Sequence, residues 1–330
     1  MSSCHTSFPI SFSDEPAEDQ LCVLILATFI RGKKEMGSSK SKQTPTDGSP
    51  TKLDKPWRNF DWKQNNRLKE RLENFHLSNP DLTHVKLLVA GQIGAGKSSF
   101  INSVNSAFQG EIVCDAQVDA SQSAASYSFT KKLEGHHIKN AHGDLPFEIC
   151  DVMGLEPEEL SGLQPDDVVK TIHGHVKKRY KFSENPITSE NESYIETPSL
   201  SDQAFCLVYV IDANTVQFDS ADKTLLKKLK LIRKKITDEG IPQVIVLTKV
   251  DEACKLVKND LKQIYHSKTI KEKMEFCSVE IGVPMTMIFP VKNYHDEVDT
   301  NDDVDILILK AFYQIVRSAN ARLSCGSSQK

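Results

Sequence analysis

Residues Gly91-Gln92-Ile93-Gly94-Ala95-Gly96-Lys97-Ser98 read as G-x-x-x-x-G-K-S, set between an apolar run, Val85 to Ala90, and an amphipathic stretch over 97 to 108. No other feature limits the fold as much. The glycines let the backbone wrap so that successive N–H groups converge on one point, and the helix start behind them adds the positive end of its dipole. Such a loop is a cradle for phosphates. Lys97 is placed to reach the β- and γ-phosphates, the Ser98 hydroxyl to ligate Mg²⁺, and Ser99 continues the same turn. A strand, this loop and a helix in succession imply an α/β chain of the P-loop NTPase fold, with a mostly parallel central sheet and helices on both faces.

The chain beyond the loop keeps that alternation. Tyr127 to Leu133 and Phe147 to Val152 are expected to pair as strands, turning at Gly143-Asp144. Phe205 to Ile211 is a near-continuous apolar run, as in a strand buried on both faces. Val244 to Leu247 and Met285 to Phe289 are further short strands. Thr224 to Thr237 and Ile306 to Ala319 have helical periodicity. The main domain is expected over 84–322, with an insertion at 160–201 that is helical over Asp166 to Tyr180 and a mobile loop over Ser183 to Ser201. Before it, 55–83 carries both tryptophans, Trp57 and Trp62, then a helix with Leu68, Leu72 and Phe75 on one stripe. Residues 1–54 are Ser/Thr/Lys/Pro-rich and expected to be disordered, and 323–330 form a flexible tail.

A phosphate cradle does not choose a base, and two later segments address that. Asp151-Val152-Met153-Gly154 is D-x-x-G, in which Asp151 would face Mg²⁺ and the Gly154 N–H would contact a γ-phosphate. Thr248-Lys249-Val250-Asp251 is T-K-x-D at the end of a strand. The Asp251 carboxylate can accept from both N1–H and the exocyclic amine of guanine, a pair adenine does not present. The Lys249 stem would lie over the base. Pro290-Val291-Lys292-Asn293 stands where a backbone amide, that of Val291 or Lys292, would meet guanine O6. Ligands in open α/β sheets gather at the strand C-termini, where all these segments fall. Thr130 is the preferred switch residue for Mg²⁺ among several hydroxyls between the first helix and the next strand. Leu155 follows D-x-x-G where a water-orienting Gln often stands, so hydrolysis is expected to be slow or absent.

Composition removes other classes. With 41 Lys+Arg against 45 Asp+Glu the net charge is −4, which speaks against a nucleic-acid binder. No apolar run approaches the roughly 20 residues of a membrane span. The eight cysteines form no C-x-x-C pair, as in a reduced intracellular protein. Leu21 to Ile30 follows acidic residues instead of a basic start, against a signal peptide. Were Met36 the first residue, Gly37 would fit an N-myristoylation signal, and this with the basic helix face from Lys223 to Lys235 would allow peripheral contact with a membrane. An internal Met-Gly in a Ser/Lys linker and a solvated helix face are the favoured readings. His136, His137 and His142 read as a surface hairpin with no carboxylate to complete a metal site, and His173 and His175 as unable to share one.

The ordered motifs resemble the P-loop GTPase class. The wording of Gly91 to Ser99, Cys150 to Glu156, His175-Val176-Lys177 and Leu247 to Cys254 resembles the interferon-induced protein 44 family, its fish-type 44-like members in particular, over roughly 55–320. That resemblance implies a cytoplasmic, interferon-responsive, antiviral protein that binds GTP or GDP with Mg²⁺ and meets a host or viral protein partner. Longer relatives carry an N-terminal TLDc domain, for which the stretch before His84 is too short and too polar. Two readings compete: a nucleotide-dependent switch, and a scaffold that keeps the fold without using the nucleotide. An ATP-dependent kinase is a third, disfavoured by the T-K-x-D segment.

Overall fold

The computed structural model describes residues 51–116, 132–156, 162–216 and 223–327. The chain divides into Met1–Ser49, which with Gly37 lies outside these residues, and Pro50–Lys330, to which everything below belongs. Thr130 also falls outside the described residues.

A six-stranded sheet forms the centre, in the order β2-β3-β1-β4-β5-β6. The strands are β1 (Val85–Gly91), β2 (Glu134–Asn140), β3 (Gly143–Asp151), β4 (Cys206–Asp212), β5 (Gln243–Thr248) and β6 (Ile288–Pro290). All neighbours run parallel except β2 against β3. β4 and β5 are almost wholly buried because helices cover both faces, which is why their sequences are unbroken apolar runs. The sheet and its loops therefore bring the C-terminal ends of β1, β3, β4 and β5 to one edge.

The helices are α1 (Asn65–Glu73), α2 (Lys97–Gln109), α3 (Pro165–Ile172), α4 (Lys223–Thr237), α5 (Val250–Ala253), α6 (Lys255–Asn259), α7 (Lys268–Ile281) and α8 (Asp302–Ser327). α2 ends at Gly110, whose φ of +75° lets its N–H turn back to the Ser106 carbonyl. Phe100, Ile101, Val104 and Phe108 of α2 are buried, and Phe108 and Phe147 both meet Phe312 of α8 edge to face.

Several expected boundaries move. The strand before β3 is Glu134–Asn140, not Tyr127 to Leu133, of which only residues 132 and 133 are described. As an edge strand paired on one side it carries Gly135-His136-His137, with no apolar alternation to betray it. β6 is shorter than Met285 to Phe289, since Met285–Met287 form a 3₁₀ turn. The helix of the insertion stops at Ile172, well before Tyr180. Its second half is not a loose loop: Ile187 is buried and its N–H donates to the buried Asp167 carboxylate at 2.8 Å. Burial raises the Asp167 pKa, and that hydrogen bond opposes the rise.

The aromatic segment lies against the sheet-bearing unit. Trp57 and Phe60 pack on Tyr265 with centroids 5.3 and 4.9 Å away. Between them the Arg58 guanidinium donates to the carbonyls of Ile288 and Met285 at 2.9 and 2.5 Å. α1 buries Leu68 and Leu72, and Phe75 beyond it lies edge-on to Phe147 of β3. The basic face on α4 is partly neutralised: Lys230 pairs with Glu280, Lys235 with Asp166, and Lys228 is buried.

Candidate functional site

β1 delivers the chain into the loop 92–96 and α2 takes it away at Lys97. Gly94 and Gly96 have φ of +70° and +87°, left-handed values that glycine adopts without strain. Gly91 is constrained differently, because a Cβ there would stand 2.0 Å from the Val210 carbonyl oxygen of β4. Ala95 is buried, whereas Gln92 and Ile93 are half-buried and Gly94 faces outward. The loop is thus wound tightly, with its turn open to the outside.

Lys97 is only 7% exposed, and its Nζ donates to the carbonyls of Gly91 and Gln92, each at 3.2 Å. Burial lowers its pKa, with the nearby Asp151 charge acting in the opposite sense. The Ser98 hydroxyl donates to Asp151 Oδ2 at 2.7 Å, and Asp151 is buried at the end of β3. A hydroxyl and a carboxylate side by side are hard oxygen donors, the set Mg²⁺ prefers when the substrate's phosphates and water supply the rest. These two residues fit that ion. Ser99 is half-buried on the next position of α2.

The D-x-x-G segment is fastened to the phosphate loop. Leu155 N–H donates to the Gly91 carbonyl at 2.9 Å, and Ile93 N–H to the Leu155 carbonyl at 3.3 Å. A Cβ at Gly154 would come within 2.5 Å of the Ile93 side chain, so only glycine allows this approach. Leu155 has 0% exposure. It cannot meet a water molecule, and its place is that of a bracket between two motifs.

The T-K-x-D segment touches the same loop from the other side. The Thr248 hydroxyl lies 2.6 Å from the Ala95 carbonyl and 3.1 Å from that of Ile211. Its role in these contacts is to hold β4, β5 and the loop together. Lys249 adopts φ of +54°, and its Nζ pairs with Asp212 Oδ2 at 2.9 Å. Lys249 stands at the N-cap position of α5, and Asp251 is half-buried in the first turn.

The final loop differs from expectation at Val291. Its side chain is buried and its N–H donates to the Leu247 carbonyl at 2.8 Å, extending the sheet beyond β6, so that amide is already engaged. Lys292 is half-buried and pairs with Glu297 at 2.7 Å. Burial alone would raise Glu297, yet Lys292 and the neighbouring amides bring its pKa down to about 2. Asn293 was not among the expected site residues. Its Nδ2 donates to the Gly96 carbonyl at 3.1 Å, while Oδ1 is buried with no hydrogen-bond partner among the described residues. Asp212 was missed as well, although a carboxylate closing an apolar run at a strand's C-terminal end is a readable signal.

The strand order, the glycine loop and its bracketing motifs define a P-loop, GTPase-like α/β domain. Comparison with known proteins adds the family. No protein-family model matches the chain. Human interferon-induced protein 44-like is 33% identical over 258 residues, covering 77% of this chain and 56% of that protein. Mouse interferon-induced protein 44 is 36% identical over 236 residues, 71% of this chain and 54% of the relative. Human interferon-induced protein 44 is 34% identical over 241 residues, 72% and 52% respectively. Over that shared region the chain belongs to the interferon-induced protein 44 family, and it spans about half the length of the curated relatives it matches. Among solved structures, that of a probable GTP-binding protein EngB aligns at 15% identity over 71% of this chain and 99% of that one, with a TM-score of 0.36, too low to carry weight beside the fold itself.

Proposed function

We propose that this chain is a guanine-nucleotide-binding protein of the interferon-induced innate immune response. It binds GTP or GDP with Mg²⁺ in the cytoplasm, hydrolyses slowly if at all, and presents nucleotide-ordered loops to a host or viral protein partner. The observation that supports it best is the double attachment of the phosphate loop. Thr248 of the T-K-x-D segment meets the Ala95 carbonyl, and Asn293 holds that of Gly96. The segment that would read a base is therefore built into the same frame as the segment that would hold phosphates.

In this reading the loop amides and Lys97 hold the phosphates, Ser98 and Asp151 hold Mg²⁺, and Asp251 reads the base edge. The left-handed backbone of Lys249 supports it, since such a conformation at a non-glycine residue costs about 1–2 kcal/mol and tends to persist where function requires it. Asp212 fixes the Lys249 stem where it can cover a base. Lys292 and Asn293, not Val291, then supply the remaining contacts on the base side.

The test is Asp251→Asn. An amide presents a donor where xanthine carries a carbonyl and guanine an amine. GDP affinity is expected to fall about a hundredfold, ~2.7 kcal/mol, with XDP affinity rising. Unchanged guanine selectivity in the variant would remove Asp251 as the reader.

A second reading, an interaction scaffold that does not use its nucleotide, draws support from Leu155. The residue in the water-orienting position is locked into the sheet. A Lys97→Met protein that keeps full antiviral effect in cells would favour the scaffold, and one that loses it while still folded would favour the switch.

A further inference from the structure

At the other end of β1 from the phosphate loop, the register of the sheet gathers a second set of ligating side chains. Lys86 of β1 pairs with Glu148 of β3, and His137 of β2 pairs with Glu148 from its other side. Side chains repeat on a face every two residues. His84, two before Lys86, therefore shares one face of the sheet with His137, and Asp144 comes up beside them past an irregularity in the β2–β3 register. A ligand atom from each of His84, His137 and Asp144 lies within 4.8 Å of the other two. Contrary to the reading from sequence, the hairpin carries its own carboxylate, Asp144 just past the turn, and His84, immediately before β1, adds the second imidazole.

The imidazoles of His84 and His137 meet at 4.5 Å between centroids, with their planes at 61°. Nδ1 of His137 is buried without a hydrogen-bond partner among the described residues. Nδ1 of His84 lies 2.9 Å from the Thr83 hydroxyl. With Nδ1–H donating to that oxygen, Nε2 of His84 carries the lone pair, and such a contact is the kind that orients metal-bound imidazoles.

We propose that His84, His137 and Asp144 form a binding site for a divalent transition ion, with zinc the ion their chemistry fits best. Two imidazoles and one carboxylate suit zinc over Mg²⁺ or Ca²⁺, and leave a fourth position open to water or a partner's side chain. Donors on a tetrahedral zinc with bonds of ~2.0–2.1 Å lie about 3.3 Å apart, so the trio need draw in by no more than about 1.5 Å. Asp144 is exposed at the start of β3 and has room to do so. At ~3.3 Å per residue, the length of β1 keeps this ion about 20 Å from the Ser98–Asp151 pair. It is a separate site.

Calorimetric titration of the full chain with zinc chloride in excess Mg²⁺ tests the proposal. One zinc per chain is expected at this site, with affinity reduced about tenfold or more in both His84→Gln and Asp144→Asn. Asp144 is exposed, so its variant reports on binding even if a histidine variant folds poorly. Cobalt(II) distinguishes this trio from the exposed thiols of Cys114 and Cys325, because nitrogen and oxygen ligands give d–d bands without a thiolate charge-transfer band. Equal zinc affinity in the natural chain and Asp144→Asn, no zinc binding, or a thiolate band at the first equivalent of cobalt would each overturn it.

Discussion

Lys97 shows how one side chain can be poised for a ligand. Its ammonium is buried against two neutral carbonyls, an incomplete compensation for a charge taken out of water. Because burial lowers its pKa, the ammonium costs the folded chain stability throughout the range below ordinary lysine titration. Lys97→Met keeps the stem and removes that cost. The variant should have an equal or higher thermal midpoint in the absence of nucleotide and show none of the rise expected of the natural chain with GDP and Mg²⁺. Scanning calorimetry with and without GDP reads both, and a rise that survives in the variant would contradict the role given to Lys97. Leu155 carries a second residue-scale expectation. It stands where a water-orienting Gln often stands, yet it is completely buried and out of reach of an attacking water. Leu155→Gln should leave phosphate release at the natural rate and lower stability by about 2 kcal/mol or more, since an amide would be buried without partners. Faster turnover in the variant would show that the residue faces the site after all.

Between elements, the tightest joint is β1 against β4. The Cβ of Gly91→Ala would lie 2.0 Å from a backbone oxygen that belongs to a paired strand and cannot swing aside. The substitution should cost about 2 kcal/mol or more, and chemical denaturation would measure it. A natural-like midpoint would mean the two strands can part more easily than their pairing suggests. The elements legible in the sequence were those whose environment leaves a periodic mark. β4 and β5 are buried on both faces and appear as unbroken apolar runs, and α2 shows its stripe because one side packs on the sheet. β2 left no mark, since an edge strand can expose histidines on both sides. α5 and α6 are short and each bears one buried residue, Val250 and Val257, which leaves no periodicity to read. Of the candidate site, the loop glycines, Lys97, Ser98 and Asp151 stood out through fixed spacing. Asn293 and the trio at His84 did not, because their partners come from distant parts of the chain.

In the whole molecule, two peripheral pieces close around the sheet. The strap of Trp57, Phe60 and Arg58 covers Tyr265 and reaches β6, while the insertion seats Lys178 on the buried Glu148 of β3 at 2.6 Å. Both brace strands, β6 and β3, whose C-terminal ends lead into segments that meet the phosphate loop through Asn293 and Leu155. The lineage shared with interferon-induced protein 44 and 44-like places this frame in a family named for its induction, over about three quarters of the chain. The central claim is that the frame holds a guanine nucleotide. Isothermal titration of the full chain with GDP and with ADP, each with Mg²⁺, addresses it most directly. The account predicts micromolar or tighter GDP binding, at least about a hundredfold, ~2.7 kcal/mol, ahead of ADP. Equal affinity for the two, or ADP bound more tightly, would contradict it.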